Sequence, residues 1–299
     1  MSPARDLKAY LHAQRQQVDQ ALDRLLPSDE AGGLVLQAMR YSLFAGGKRL
    51  RPILCLAAAE AVGGDSQRVM FCACALEMIH TYSLVHDDLP AMDDDDYRRG
   101  VPTNHKVFGD GLAVLAGDAL LTQAMVLLTT HSQVASIEPW RLLAASHAIV
   151  RAAGYEGMVG GQAADLLAER QEPDLAVVQF IHAKKTGALI TASAQAGGLL
   201  AGGDQEQVQA LVRYGRRVGL AFQIADDLLN LSGDATELGK ATGSDEARGK
   251  MTYPAVLGPA QARQRGLNLV EEAMALAGGL GDNAWPLVEL ARYIMDRSN

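Results

Sequence analysis

The chain has 299 residues, 48% of them apolar and 5% aromatic, with a formal charge of −8. That size and apolar content suffice for one large core and exclude general disorder, while few aromatics and abundant Ala and Leu point to packed helices. The negative balance argues against nucleic acid as the main partner, although local basic clusters can still receive small anions.

Helical periodicity begins at once. Leu7, Leu11, Val18, Leu22 and Leu25 fall on one stripe, and Pro27 follows the end of the pattern. Charges at Arg5, Asp6, Lys8, Arg15, Asp19, Asp23 and Arg24 do not fit a signal peptide. Paired glycines then punctuate the chain at 32–33, 46–47, 63–64, 160–161, 197–198, 202–203 and 278–279, many where a helical pattern stops. Cys55, Cys72 and Cys74 lack partners at metal-ligand spacing and read as small buried residues. The stretch from Ala119 to Ile137 has no formal charge. Thr122, Gln123, Thr129, Thr130, His131, Ser132 and Gln133 make it too polar for a membrane span, so a central bundle helix is expected. No alternating run flanked by hairpin turns is present, so strands are not expected. Without linkers or repeats, residues 1–299 read as one cytoplasmic, all-α domain of about ten or more helices.

The most informative segment runs from His80 to Asp96 and holds six aspartates, Asp87, Asp88 and Asp93 through Asp96. Two like charges 4 Å apart repel by about 4 kcal/mol at an effective dielectric near 20, so such a run needs solvent, raised pKa values or bound cations. Leu76, Ile79, His80, Ser83 and Leu84 carry a helical face that ends at Asp87, and Pro90 stops the helix so that Asp93 can return toward Asp87. A calcium loop does not fit, because a frame started at Asp93 puts Arg98 where glycine is required.

A second motif lies far downstream. Gln223, Asp226, Asp227 and Asn230 are spaced to share one helical face. Carboxylates facing each other from separate helices would suit magnesium, which is held by a few carboxylates plus substrate phosphates. Basic residues accompany both motifs: Lys48, Arg49 and Arg51 after the glycine turn, Arg98 and Arg99 after the aspartates, and Lys185, Lys240 and Lys250 beside the later motifs. Guanidinium forks and ammonium groups suit phosphate oxygens. Gly46-Gly47 is no Walker A loop, and no Gly-x-Ser-x-Gly elbow is present, so mononucleotide hydrolysis and acyl transfer find little support.

Together these residues resemble the isoprenyl diphosphate synthase family, specifically the bacterial-type farnesyl diphosphate synthases. The resemblance rests on Gly-Gly-Lys-Arg-Leu-Arg-Pro at 46–52, His-Asp-Asp-Leu-Pro-Ala-Met-Asp at 86–93, and Arg98-Arg99-Gly100. It continues through Gly-Gly-Gln at 160–162, Lys-Thr-Gly at 185–187, and Gly-Leu-Ala-Phe-Gln-Ile at 219–224. Leu-Gly-Lys at 238–240 and Gly-Lys-Met-Thr-Tyr-Pro at 249–254 complete it.

The resemblance implies an antiparallel helical bundle around a deep central cavity, and a homodimer. It implies two magnesium ions on Asp87 and Asp93 and a third on Asp226, with Asp88 and Asp227 as acceptors behind them. Arg98, Lys185 and Lys240, assisted by Lys250, would hold the allylic diphosphate. Lys48, Arg51, His80 and Arg99 would hold isopentenyl diphosphate. Ionisation to a carbocation would be followed by alkene attack, with Thr186 and Gln223 presenting negative dipoles to the cation. In this resemblance Tyr82 and Ser83 set the floor of the tail cavity, and an aromatic at Tyr82 matches a farnesyl product. Geranylgeranyl diphosphate synthase is the nearest alternative. A terpene cyclase would leave Lys48, Arg51 and Arg99 without a task. Asn230 departs from the family pattern, which ends in Asp: the amide keeps an acceptor oxygen and loses the charge. It gives the one foothold for an inactive regulatory subunit.

Overall fold

The computed structural model describes residues 6–27, 32–130, 137–169, 171–172, 174–232 and 250–296. Helices dominate, and the chain divides into two compact units: Lys8–Ile53 with Met70–Glu138, and Met1–Leu7 with Leu54–Val69 and Pro139–Asn299.

The first of these contains α1 (Leu7–Leu25), α2 (Gly33–Leu43), the start of α3 (Leu50–Ala61), α4 (Met70–Asp87), α5 (Asn104–Phe108) and α6 (Asp110–Thr129). Val18 and Leu22 of α1 are fully buried, as the stripe predicts. The α4 helix is buried on nearly every side from Phe71 to Val85, because its residues are apolar all round rather than on one stripe. Arg49 ties this unit together. Its guanidinium donates to Glu77 Oε1 of α4 at 2.7 Å, to Asp19 Oδ1 of α1 at 2.8 Å and to the Leu43 carbonyl at 2.6 Å. Asn104 Nδ2 donates to the Ala38 carbonyl and Tyr41 to the Pro102 carbonyl, fastening α5 and its approach to α2.

Two departures from the sequence reading occur in this unit. A short hairpin pairs β1 (Tyr97–Arg98) with β2 (Val101–Pro102), although no strands are expected. Its two central residues, Arg99 and Gly100, have φ of 54° and 80°, the left-handed pair that a tight hairpin turn requires. The stretch from Ala119 to Ile137, expected as a central bundle helix, is helical to Thr129 as the end of α6, where Val126 is 51% exposed; residues 131–136 lie outside the described residues, and earlier in α6 Val114 and Leu115 are 40% and 51% exposed. By length and composition alone, α6 and Ser66–Asp87 are apolar enough to cross a membrane. The latter is 72% buried, as a core helix would be.

The other unit contains α7 (Pro139–Ala153), α8 (Met158–Ala168), α9 (Leu175–Ile181), α10 (Ala188–Leu200), α11 (Gln205–Ser232), α12 (Tyr253–Leu257), α13 (Pro259–Gly278) and α14 (Trp285–Asp296), with the later part of α3. Between α9 and α10 the helix widens into a π turn, His182–Gly187. Tyr214 of α11 is wholly buried and donates to the Leu287 carbonyl of α14 at 2.7 Å. The α11 backbone touches the π turn where Gly219 meets Gly187 and touches α10 where Gly215 meets Thr191, approaches that a Cβ would block. All three cysteines are buried and unbridged.

Candidate functional site

Chemistry-bearing side chains gather in one cluster in each unit. In the unit built on α4, the helix ends at Asp87, and the chain turns back so that the Asp93 amide donates to the Asp87 carbonyl at 2.8 Å. The six aspartates are thereby sorted rather than massed. Asp88 is buried, and Arg98 Nε lies 2.8 Å from both of its carboxylate oxygens, with Nη2 at 2.5 Å from Oδ1. Asp95 Oδ2 is 3.8 Å from the same guanidinium, and Asp96 turns outward to Lys106 at 2.7 Å. Asp87 and Asp93 are both partly exposed, and Asp94 is exposed.

The basic side of this cluster is fixed by the glycine turn. Gly46 and Gly47 have φ of 96° and 126°, and Arg99 donates to the Gly46 carbonyl. The left-handed φ at Gly47 is what requires glycine, and the Arg99 guanidinium packs into the space a Cβ there would take, 2.6 Å from its carbon. Of the consecutive cations, Lys48 is exposed while Arg49 is turned inward. His80 is brought beside Arg51, Arg99 and Arg98. Burial, and then those cations, hold its imidazole well below its ordinary pKa, so at neutral pH it is an uncharged hydrogen-bonding group. Four expected isopentenyl-site residues therefore lie in one unit, and His80, Arg51 and Arg99 share one electrostatic neighbourhood.

Tyr82 is 7% exposed and meets His86 edge to face, with ring centroids 5.7 Å apart. Burial and the neighbouring Asp87 charge raise its phenol pKa, so it stays neutral. Ser83 spends its hydroxyl on the His80 carbonyl at 2.8 Å.

In the other unit, α11 presents Gln223, Asp226 and Asn230 on a partly exposed face, while Asp227 is turned into the core. The sequence spacing alone placed all four together. Asp227 Oδ2 accepts the Tyr253 backbone N–H at 2.9 Å and lies 3.6 Å from His182 Nε2, and the His182 and Tyr253 rings stack at 5.3 Å. Burial pulls the His182 pKa down to about 4, with Asp165 opposing and Lys185 reinforcing. Lys185 and Thr186 sit on the π turn, and Thr186 is 9% exposed. Such a turn is a common feature of functional sites. Lys240 lies outside the described residues.

Sequence reasoning missed Asp165. Its Oδ2 accepts from Lys185 Nζ at 2.6 Å and lies 3.9 Å from Lys250 Nζ. The signal was present: Asp165 follows Gln162 of the Gly-Gly-Gln motif by three residues, one turn along the same face of α8.

Among the described residues no three His, Cys, Asp or Glu side chains form a ready metal cage. Magnesium commonly takes one or two protein carboxylates and completes its shell with water and substrate phosphate. The hard-oxygen donors Asp87 and Asp93, with cations nearby for phosphate, fit magnesium arriving with a diphosphate.

A family model described as polyprenyl synthetase matches residues 33–277. A dimethylallyltranstransferase from Fischerella ambigua is 48% identical over 295 residues, covering 98% of this chain and 84% of the relative. Geranylgeranyl pyrophosphate synthase 11 from Arabidopsis thaliana is 46% identical over 299 residues, covering 98% and 83%. The apo crystal structure of an FPP/GFPP synthase from Zymomonas mobilis superposes with a TM-score of 0.87 at 38% identity, covering 96% of this chain and 98% of that one.

Proposed function

Since the chain belongs to the polyprenyl synthetase family, the all-helical prenyltransferases of isoprenoid synthesis, we propose that residues 1–299 act as one catalytic domain condensing isopentenyl diphosphate with dimethylallyl and geranyl diphosphate to give farnesyl diphosphate. The observation that carries the reading is the return of Asp93 onto Asp87 beside a cationic surface fixed by Gly46, Gly47 and Arg99.

Asp87, Asp93 and Asp226 would hold magnesium, which when bound neutralises charge on the departing diphosphate. Lys185, Lys250, Lys240 and Arg98 bind that diphosphate from the protein side. Asp88 fixes the Arg98 fork, so its donors are oriented before substrate arrives. Lys48, Arg51 and Arg99 hold isopentenyl diphosphate, and neutral His80 adds a hydrogen bond without a further charge. Thr186 and Gln223 present oxygen dipoles to the allylic cation. The alkene of isopentenyl diphosphate attacks its carbon, and the departed diphosphate removes the proton, so no dedicated protein base is needed.

The farnesyl product is supported by the bulk of buried Tyr82, five residues before Asp87. A geranylgeranyl product is the second reading, favoured by the Arabidopsis relative. The exposed Val114, Leu115 and Val126 of α6 support a homodimer, since exposed apolar side chains grouped on one element mark protein interfaces. Incubation of the purified chain with isopentenyl diphosphate, dimethylallyl diphosphate and magnesium, followed by dephosphorylation and identification of the alcohols, tests the assignment. Farnesol as main product supports it, geranylgeraniol selects the second reading, and no prenyl alcohol refutes both.

A further inference from the structure

The lysines expected to hold the allylic diphosphate would repel one another if nothing lay between them. Lys185 stands on the π turn and Lys250 just before α12, and both approach the same oxygen, Asp165 Oδ2, at 2.6 and 3.9 Å. The three side chains are largely enclosed, with 24%, 12% and 12% exposure for Lys185, Lys250 and Asp165. In such surroundings like charges repel more strongly than in water, and one carboxylate between two ammonium groups cancels that repulsion. Two cations and one anion leave a net positive charge, which still attracts a diphosphate.

The distance from Asp165 to the π turn is fixed by backbone packing. Gly161, one turn before Asp165 on α8, lies against the Lys185 backbone; a Cβ there would come within 2.2 Å of the Lys185 nitrogen. Asp165 is thus carried at a set position relative to Lys185 before any substrate binds. A carboxylate has no N–H to offer a diphosphate, and the contacts Asp165 makes are to the two lysines, so it acts on the diphosphate through them.

We propose that Asp165 is a positioning residue, holding Lys185 and Lys250 at the spacing that receives the diphosphate of the allylic substrate. This deepens the prenyltransferase reading and rests on it. Nothing in the Gly-Gly-Gln motif assigned a task to Asp165 beforehand; the geometry makes that motif the support of the lysine pair.

A double-mutant cycle tests it, using Asp165→Asn, Lys185→Gln and the combination in the full chain. Two quantities are read: kcat/KM for the allylic diphosphate, and equilibrium binding of inorganic pyrophosphate with magnesium. Circular dichroism and unfolding midpoints check that each variant folds. Asp165→Asn is expected to lower kcat/KM about tenfold or more while leaving KM for isopentenyl diphosphate within about twofold. The double variant should fall clearly less than the product of the two single losses, because the part of the Asp165 effect that runs through Lys185 has nothing left to act on, while the part through Lys250 remains. Pyrophosphate affinity should show the same non-additivity, and Asp165→Glu should recover part of the loss. A purely structural role would instead multiply the two losses and move the unfolding midpoint without regard to Lys185. Multiplying losses, or wild-type kinetics and binding for Asp165→Asn, would overturn the proposal. Wild-type protein that binds pyrophosphate with the coupled pattern yet turns nothing over would refute the prenyltransferase reading and leave the positioning role standing. Wild-type protein that binds no pyrophosphate would overturn both.

Discussion

Glu77→Gln isolates the charge that anchors the loop carrying Lys48. Glu77 and Arg49 are each 1% exposed and 2.7 Å apart, so water contributes almost nothing to holding either one. Burial alone would depress the Arg49 guanidinium, but Glu77, and after it Asp19, raise its pKa overall. The substitution keeps the shape and an acceptor oxygen and deletes one unit of charge. Two unit charges at about 4 Å attract by about 4 kcal/mol at an effective dielectric near 20, and a neutral hydrogen bond keeps about 1 kcal/mol of that. A loss of about 3 kcal/mol is therefore expected, at the low end of what breaking a buried pair costs. Arg49 still keeps Asp19 at 2.8 Å and the Leu43 carbonyl at 2.6 Å. Urea unfolding followed by circular dichroism would measure it as a lower midpoint with an unchanged slope. Because Arg49 has a left-handed φ of 50° directly after Lys48, KM for isopentenyl diphosphate should rise in the same variant. A stability loss under about 1 kcal/mol, with unchanged KM, would show that Arg49 is held by Asp19 and Leu43 alone and refute the reasoning.

Four further outcomes are expected. Asp87→Ala should cut turnover about a hundredfold or more with the fold retained; near-wild-type turnover at saturating magnesium would contradict the metal role. Tyr82→Ala should lengthen the product, read by chromatography of the dephosphorylated alcohols, whereas an unchanged profile would remove Tyr82 from the cavity floor. Stability should fall as pH drops from about 6.5 toward about 4, because the unfolded His182 imidazole takes up a proton that the folded one refuses until about 4. The full effect is about 3 kcal/mol, and His182→Phe should flatten the slope; an equal slope in both proteins would locate the dependence elsewhere. Leu115→Asp among the exposed apolar side chains of α6 should convert a dimer to a monomer in light scattering after gel filtration, and a dimer that survives it would use another surface.

The reach of the sequence differs from element to element. The α1 stripe was legible because helical periodicity and a terminal Pro27 are local signals, and the stop of α4 near Asp87 was legible through Pro90. The hairpin at Arg98–Val101 was not, since its strands are two residues each and its left-handed turn begins with Arg rather than Asn or Asp. The π turn at His182–Gly187 carries no compositional mark either.

The ordered motifs by themselves pointed to the family, and the polyprenyl synthetase match over residues 33–277 agrees with them. Tertiary structure alone decided which of two adjacent side chains meets solvent and which is consumed inside. Lys48 faces out while Arg49 reaches Glu77, and Asp226 stays on the open face while Asp227 holds Tyr253. It also brought Asp165 between Lys185 and Lys250. The physical reason is that a helical face is wide enough to admit neighbours on either side of its edge. The partner that breaks the tie comes from a distant part of the chain, where local spacing carries no information about it.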